Sequence, residues 1–133
     1  MPAYNFQARF ALKVLDGSKL STIRRREAKV GSTAYLFTGM RTKACQRLGC
    51  GEIIYCAPIT LGYDRAREPF AMLDKQRLGK DEFDQLAMDD GFAYPREMLA
   101  WFKSTYDTET PVVFADGSRI VFEGFLIIWE TEV

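Results

Sequence analysis

The run Phe125-Leu126-Ile127-Ile128-Trp129 constrains the fold of this chain more than any other stretch. It is β-prone and apolar throughout, which predicts a long central strand. Val112 to Ala115, the Asp116-Gly117 turn and Arg119 to Glu130 together read as a hairpin that contains it.

A chain of 133 residues fits one domain, 1–133, with length enough to bury a core around that strand. Hydrophobic residues make up 47% and charged residues 27%, the balance of a globular chain rather than a disordered one. No run approaches the roughly 18 apolar residues of a membrane span, so no membrane partner is expected. Asn5 and Gln7 stand where an apolar leader would need hydrophobic residues, so no signal peptide is read. Three cysteines suit a reducing compartment better than a disulfide framework, and the expected location is cytoplasmic. Histidine is absent, which excludes Ser-His-Asp and Cys-His catalysis and histidine-ligated zinc. Acid–base work is left to Asp, Glu, Lys, Tyr or Cys. Cys45, Cys50 and Cys56 form no C-x-x-C pair and read as buried free thiols, so neither a metal nor a cofactor is expected.

Along the chain, Tyr4 to Phe6 reads as a short strand. Phe10, Ala11, Val14 and Leu15 then make a helical stripe over Gln7 to Asp16, which Gly17 closes. Leu20 to Arg24 is extended, Lys29 to Ser32 is a turn, and Thr33 to Thr38 is a strand stopped by Gly39. Met40 to Gly49 is a basic loop or short helical turn. Glu52 to Tyr63 holds one β-rich run before Pro58 and a second after it, and Asp64 to Gly79 reads as an irregular connection. Residues 81–90 form a helix with Phe83, Leu86 and Ala87 inward, ended by Gly91. Pro95 opens another, with Met98, Leu99, Trp101 and Phe102 on its buried side. Trp101 and Trp129 are assigned to the core. The order β-α-β-β-β-α-α-β-β predicts an α+β domain with a small curved or barrel-like sheet.

Charge is unevenly spread. Residues 1–49 hold ten Lys/Arg against two acids, and residues 50–133 hold eight against sixteen. The basic third either gathers on one face or is neutralised across the fold. Within it, Gly17 to Arg26 offers Lys19 and Thr22 three apart, then Arg24, Arg25 and Arg26. A lysine of lowered pKa can take the proton of a nearby hydroxyl, while arginines hold phosphate, so this segment is a candidate nucleotide or RNA site. The plainer alternative is a surface lysine, a strand threonine and solvated arginines. Arg41, Lys43 and Arg47 form a second basic group behind Tyr35 and Phe37, a composition suited to unpaired RNA; core packing accounts for the two aromatics equally well.

Gly17-Ser18-Lys19-Leu20-Ser21-Thr22-Ile23-Arg24 resembles the G-x-K-x-x-T-I-R signature of the ASCH domain, a branch of the PUA-like superfamily. Ala87-Met88-Asp89-Asp90-Gly91-Phe92 resembles that family's second block, and Leu36 to Cys45 is similar to a run in ASCH proteins of phages and prophages. The resemblance covers roughly residues 6–129. It implies a small PUA-like β-barrel with flanking helices whose pocket takes RNA or a modified nucleoside. Some similar ASCH proteins hydrolyse the acetyl amide of N4-acetylcytidine with a Lys, a Thr and a Glu, and others are described as RNA binders or ribonucleases. The lysine falls on Lys19, the threonine on Thr22, and the glutamate on Asp90, or on Asp89 if the register slips by one. The shorter aspartate departs from the family pattern. In that mechanism Lys19 is the base, Asp90 orients it or shuttles its proton, and Arg24 stabilises developing charge or holds a phosphate. A non-enzymatic phage accessory role is the remaining alternative.

Overall fold

The computed structural model describes residues 2–106, 112–113 and 115–131. Its elements run β1 (Ala3–Phe6), α1 (Ala8–Leu15), β2 (Ser21–Arg24), β3 (Thr33–Thr38), β4 (Gln46–Tyr63), β5 (Pro69–Leu73), β6 (Gln76–Arg77), α2 (Lys80–Asp89), α3 (Pro95–Thr105), β7 (Val112–Val113) and β8 (Arg119–Thr131). The fold is a mixed α/β domain built on one sheet. No helix among the described residues is long and apolar enough to cross a membrane.

Two long strands carry the sheet. β4 and β8 pair antiparallel along nearly their whole length, from Gly51↔Thr131 to Tyr63↔Arg119. β8 therefore has neighbours on both edges, β4 on one and β2 and β7 on the other, as its apolar centre predicts. The other edge of β4 is shared in the same way. Its first part takes β3 (Thr33↔Glu52 to Thr38↔Gln46) and its last part takes β5 (Ile59↔Leu73 to Tyr63↔Pro69). Pro58 stands between these two stretches. Its carbonyl accepts from the Asp74 N–H on that edge at 2.9 Å, so its missing N–H falls where no ladder bond is required. The two β runs expected on either side of Pro58 are thus one strand of 18 residues.

The path β1-β3-β4-β8-β2 has no β1–β2 pair to complete it, so among the described residues the sheet is not closed into a barrel. Across that opening the Arg24 guanidinium of β2 donates through Nη2 to the Asn5 carbonyl of β1 at 2.9 Å. A side chain does there what a strand ladder would do in a closed barrel.

The connection expected to be irregular over Asp64 to Gly79 contains the hairpin β5–β6 instead. Asp64 Oδ1 accepts from the N–H groups of Ala66 and Glu68 (2.8 and 2.9 Å), forming the turn that sends Pro69 into β5. Phe70 and Ala71 are buried there. The basic stretch expected to be a loop or short helical turn over Met40 to Gly49 is a turn only as far as Cys45, because Gln46 to Gly49 already pair with β3 as the start of β4. The remaining elements fall close to where they are expected. In α1, Phe10 and Val14 are buried while Leu15 is exposed; in α3, Met98, Leu99 and Phe102 are buried behind Pro95. The core joins both faces of β8, including Phe122, Leu126, Ile127 and Trp129, to these helices.

A candidate pocket at the open edge of the sheet

Lys19 follows α1 on a pinned backbone. Gly17 takes φ +81°, the Asp16 carboxylate accepts from the Ser18 N–H at 2.8 Å, and the Lys19 N–H donates to the Lys13 carbonyl at 2.9 Å. The side chain is 3% exposed. Its Nζ donates to Asp90 Oδ1 (2.7 Å), the Asp90 carbonyl (3.0 Å) and the Ser21 carbonyl (2.8 Å), which occupies all three ammonium protons. The rings of Phe6 and Phe10 stand 5.7 and 5.5 Å from the same nitrogen.

Asp90 reaches it from the far side of the chain. It is the residue at which α2 ends, and Gly91 follows with φ +99°. A Cβ on Gly91 would meet Phe10 Cδ1 at 2.8 Å, so both the backbone angle and the space require glycine. The two open registers resolve on geometry: Asp90 is buried against Lys19, whereas Asp89 is exposed and accepts from Gln85 at 2.8 Å.

Burial drives both partners toward their neutral forms. It pushes the Lys19 ammonium below the usual lysine value, with the Asp90 carboxylate opposing, and pushes Asp90 above the usual carboxylate value, with Lys19 opposing. The proton between them is therefore held less firmly by lysine than it would be in water.

Thr22 is buried, and its Oγ1 accepts from Arg24 Nε at 2.9 Å. That bond leaves the threonine proton free to donate to a ligand. The Arg24 guanidinium lies over the rings of Tyr4 and Phe6 at 5.2 and 5.1 Å, and burial lowers its pKa. Lys19, Thr22, Arg24 and Asp90 all line one cavity of about 190 Å³, whose wall includes the rings of Phe6, Phe10, Phe92, Trp101, Phe102 and Tyr106.

Several residues of this pocket escaped the sequence reading. Asn5 and Gln7 line it, and Gln7 Oε1 accepts from the indole N–H of Trp101 at 3.2 Å. Trp101, assigned to the core, is half-buried and forms part of the cavity wall with Phe92 and Tyr106; Trp129 is in the core as expected. Asn5 and Gln7 carried a signal, being polar residues on either side of Phe6 where the chain passes from strand to helix.

The remaining basic residues are divided. Arg25 and Arg26 are exposed, and Arg25 stacks over Tyr106 at 4.9 Å, beside the cavity. Arg41 and Lys43 are exposed on the turn after β3, which is tied to the pocket because the Met40 N–H donates to Asn5 Oδ1 at 2.9 Å. Arg47 lies apart, over Tyr35 at 5.5 Å, and lines a different depression with Val14 and Leu48. Tyr35 and Phe37 are half-buried on the strand face opposite buried Ala34 and Leu36, and neither lines the cavity. The expectation of buried thiols needs correcting, since Cys45 is exposed and Cys50 and Cys56 are half-buried. No group of three or more His, Cys, Asp or Glu that could hold a metal occurs among the described residues.

No family model, no curated protein and no solved structure matches this chain, so the ASCH resemblance rests on the sequence blocks.

Proposed function

We propose that the chain is a PUA-like domain of the ASCH type, opened between β1 and β2, and that the opening receives an unpaired base of RNA or a modified nucleoside. The observation that carries this reading is the convergence of Lys19, Thr22, Arg24 and Asp90 on one aromatic-walled cavity. At about 190 Å³ the cavity is smaller than the roughly 300–1,000 Å³ of drug-sized sites, so it suits a single ring rather than a whole nucleotide. Aromatic walls stack on a planar base, and the amides of Asn5 and Gln7 with the Thr22 hydroxyl offer edges for hydrogen bonding. Arg25, Arg26, Arg41 and Lys43 are exposed, on two segments joined to the cavity wall through Tyr106 and Asn5, and these are the cations that would meet phosphates. The test is equilibrium titration with short single-stranded RNA and with free nucleosides. Saturable binding that Arg24→Ala abolishes is expected; binding indifferent to Arg24 would refute the reading.

The contact between Lys19 and Asp90 favours a second reading, an amidohydrolase acting on an N-acylated pyrimidine nucleoside. Asp90 would take a proton from Lys19, and the resulting amine would take one from water as its oxygen bonds to the acyl carbon. Arg24 would stabilise the oxyanion. As the C–N bond breaks, the Lys19 ammonium returns a proton to the departing exocyclic nitrogen, leaving a carboxylic acid and the free base. Release of cytidine from N4-acetylcytidine, lost in Lys19→Ala, is the outcome this reading requires. Absence of turnover by the folded protein would leave binding as the function.

A further inference from the structure

A second concavity lies between α2 and the β2–β8 part of the sheet, with a volume of about 650 Å³. Its floor is aliphatic, made by Leu20, Leu73, Leu78, Leu126 and Ile128, and Leu20 is 37% exposed. Its rim is acidic. Asp81, Glu82 and Asp89 line it from one face of α2, and no lysine or arginine does. Exposed apolar surface bordered along one side by charges of one sign is the composition of a docking site rather than of an idle surface. The floor also holds an unsatisfied group: Ser21 Oγ is buried and has no hydrogen-bond partner, and Ser21 is 7% exposed. A buried hydroxyl without a partner carries a desolvation cost.

We propose that this groove docks a short segment of another protein, apolar along one face and carrying lysine or arginine at its flanks. Charge complementarity selects that occupant. Three rim carboxylates repel nucleic acid and anionic lipid surfaces and attract a basic segment. α2 has ten residues and is therefore about 15 Å long, which matches roughly three turns of a docked helix. The proposal does not depend on what the Lys19 pocket binds. The two sites meet at Ser21, which lines the groove while its carbonyl accepts from Lys19.

The test uses a synthetic helical peptide of about twelve residues with leucines three and four apart and lysines at both ends. A matched peptide with glutamate in place of lysine is the control. Amide NMR spectra of the whole protein are recorded during each titration, together with Asp81→Lys and Leu20→Ser, both at exposed positions. Expected are shifts confined to residues 18–21 and 81–89 and to Leu73, Leu78, Leu126 and Ile128 of the floor, with affinity about tenfold weaker in either variant and no binding of the glutamate peptide. Three results would overturn the proposal: equal binding of both peptides, shifts that map elsewhere, or no binding of the lysine peptide at millimolar concentration. A fourth is self-association of the free protein that Asp81→Lys abolishes, which would give the groove to a second copy of the chain.

Discussion

At the scale of single residues the Lys19–Asp90 pair is an expense that the fold bears elsewhere. Two charges removed from water cost several kcal/mol each, and mutual attraction repays this only when the remaining donors are satisfied. Here all three ammonium protons are. Lys19→Met or Asp90→Leu alone leaves the other charge buried and should destabilise the protein by roughly 3–5 kcal/mol in urea titrations. The double variant should recover most of that loss. The pH dependence follows from the direction of the two shifts. Asp90 keeps its proton longer when folded, so the stability it contributes is present below ~3.9 and declines as pH rises from there. Lys19 loses its proton sooner when folded, so its contribution is present above ~10.4 and declines as pH falls from there. The double variant should therefore gain most over the native protein near neutral pH and least toward either extreme. A constant difference across the range would show that the pair is not held against its ionisation. Lys19 and Thr22 were legible because glycine, lysine and threonine spacing is a local pattern. Asp90 came only from resemblance, since nothing local marks a helix-end acid as the partner of a lysine 71 positions away.

At the scale of elements, two devices hold the pocket. The first is the end of α2, where Gly91 turns the chain under Phe10 and delivers Asp90. Gly91→Ala should cost about 1–3 kcal/mol from the backbone angle alone, and more from the contact with Phe10. Thermal or urea unfolding measures this, and an unchanged midpoint would mean that the turn relaxes freely. The second is Arg24, which spans from β2 to the Asn5 carbonyl and holds Thr22 on the way. Arg24→Met should speed amide exchange in β1 more than in β4 or β8, because only the former loses a tie across the opening. The helices and most strands could be read from apolar periodicity and from Gly17, Gly91 and Pro95. The β5–β6 hairpin could not. Five residues beginning at Pro69, amid charged neighbours, do not alternate long enough to register, and pairing with β4 decides their conformation.

At the scale of the whole molecule, the basic first third does not collect on one surface. Lys19 and Arg24 turn inward, Arg47 faces another depression, and Arg25, Arg26, Arg41 and Lys43 remain exposed. If those four contact RNA phosphates, each charge removed should reduce the salt dependence of binding by about 0.7 in log–log slope. A slope unaffected by their removal would assign them to solvation only. Charge asymmetry was visible in the sequence; its division between interior and surface was not, because only the tertiary fold decides which cation is desolvated. The shared edges of β4 and β8 also have a consequence in time. Ser21 to Arg24 have no strand neighbour until Phe125 to Ile128 arrive, about a hundred residues later, so this pairing carries a large loop-closure cost. During vectorial synthesis β2, with Lys19 just before it, would leave the ribosome long before its scaffold exists. The pocket is therefore a late product of folding, and an incomplete chain would display its basic segment without the cavity around it.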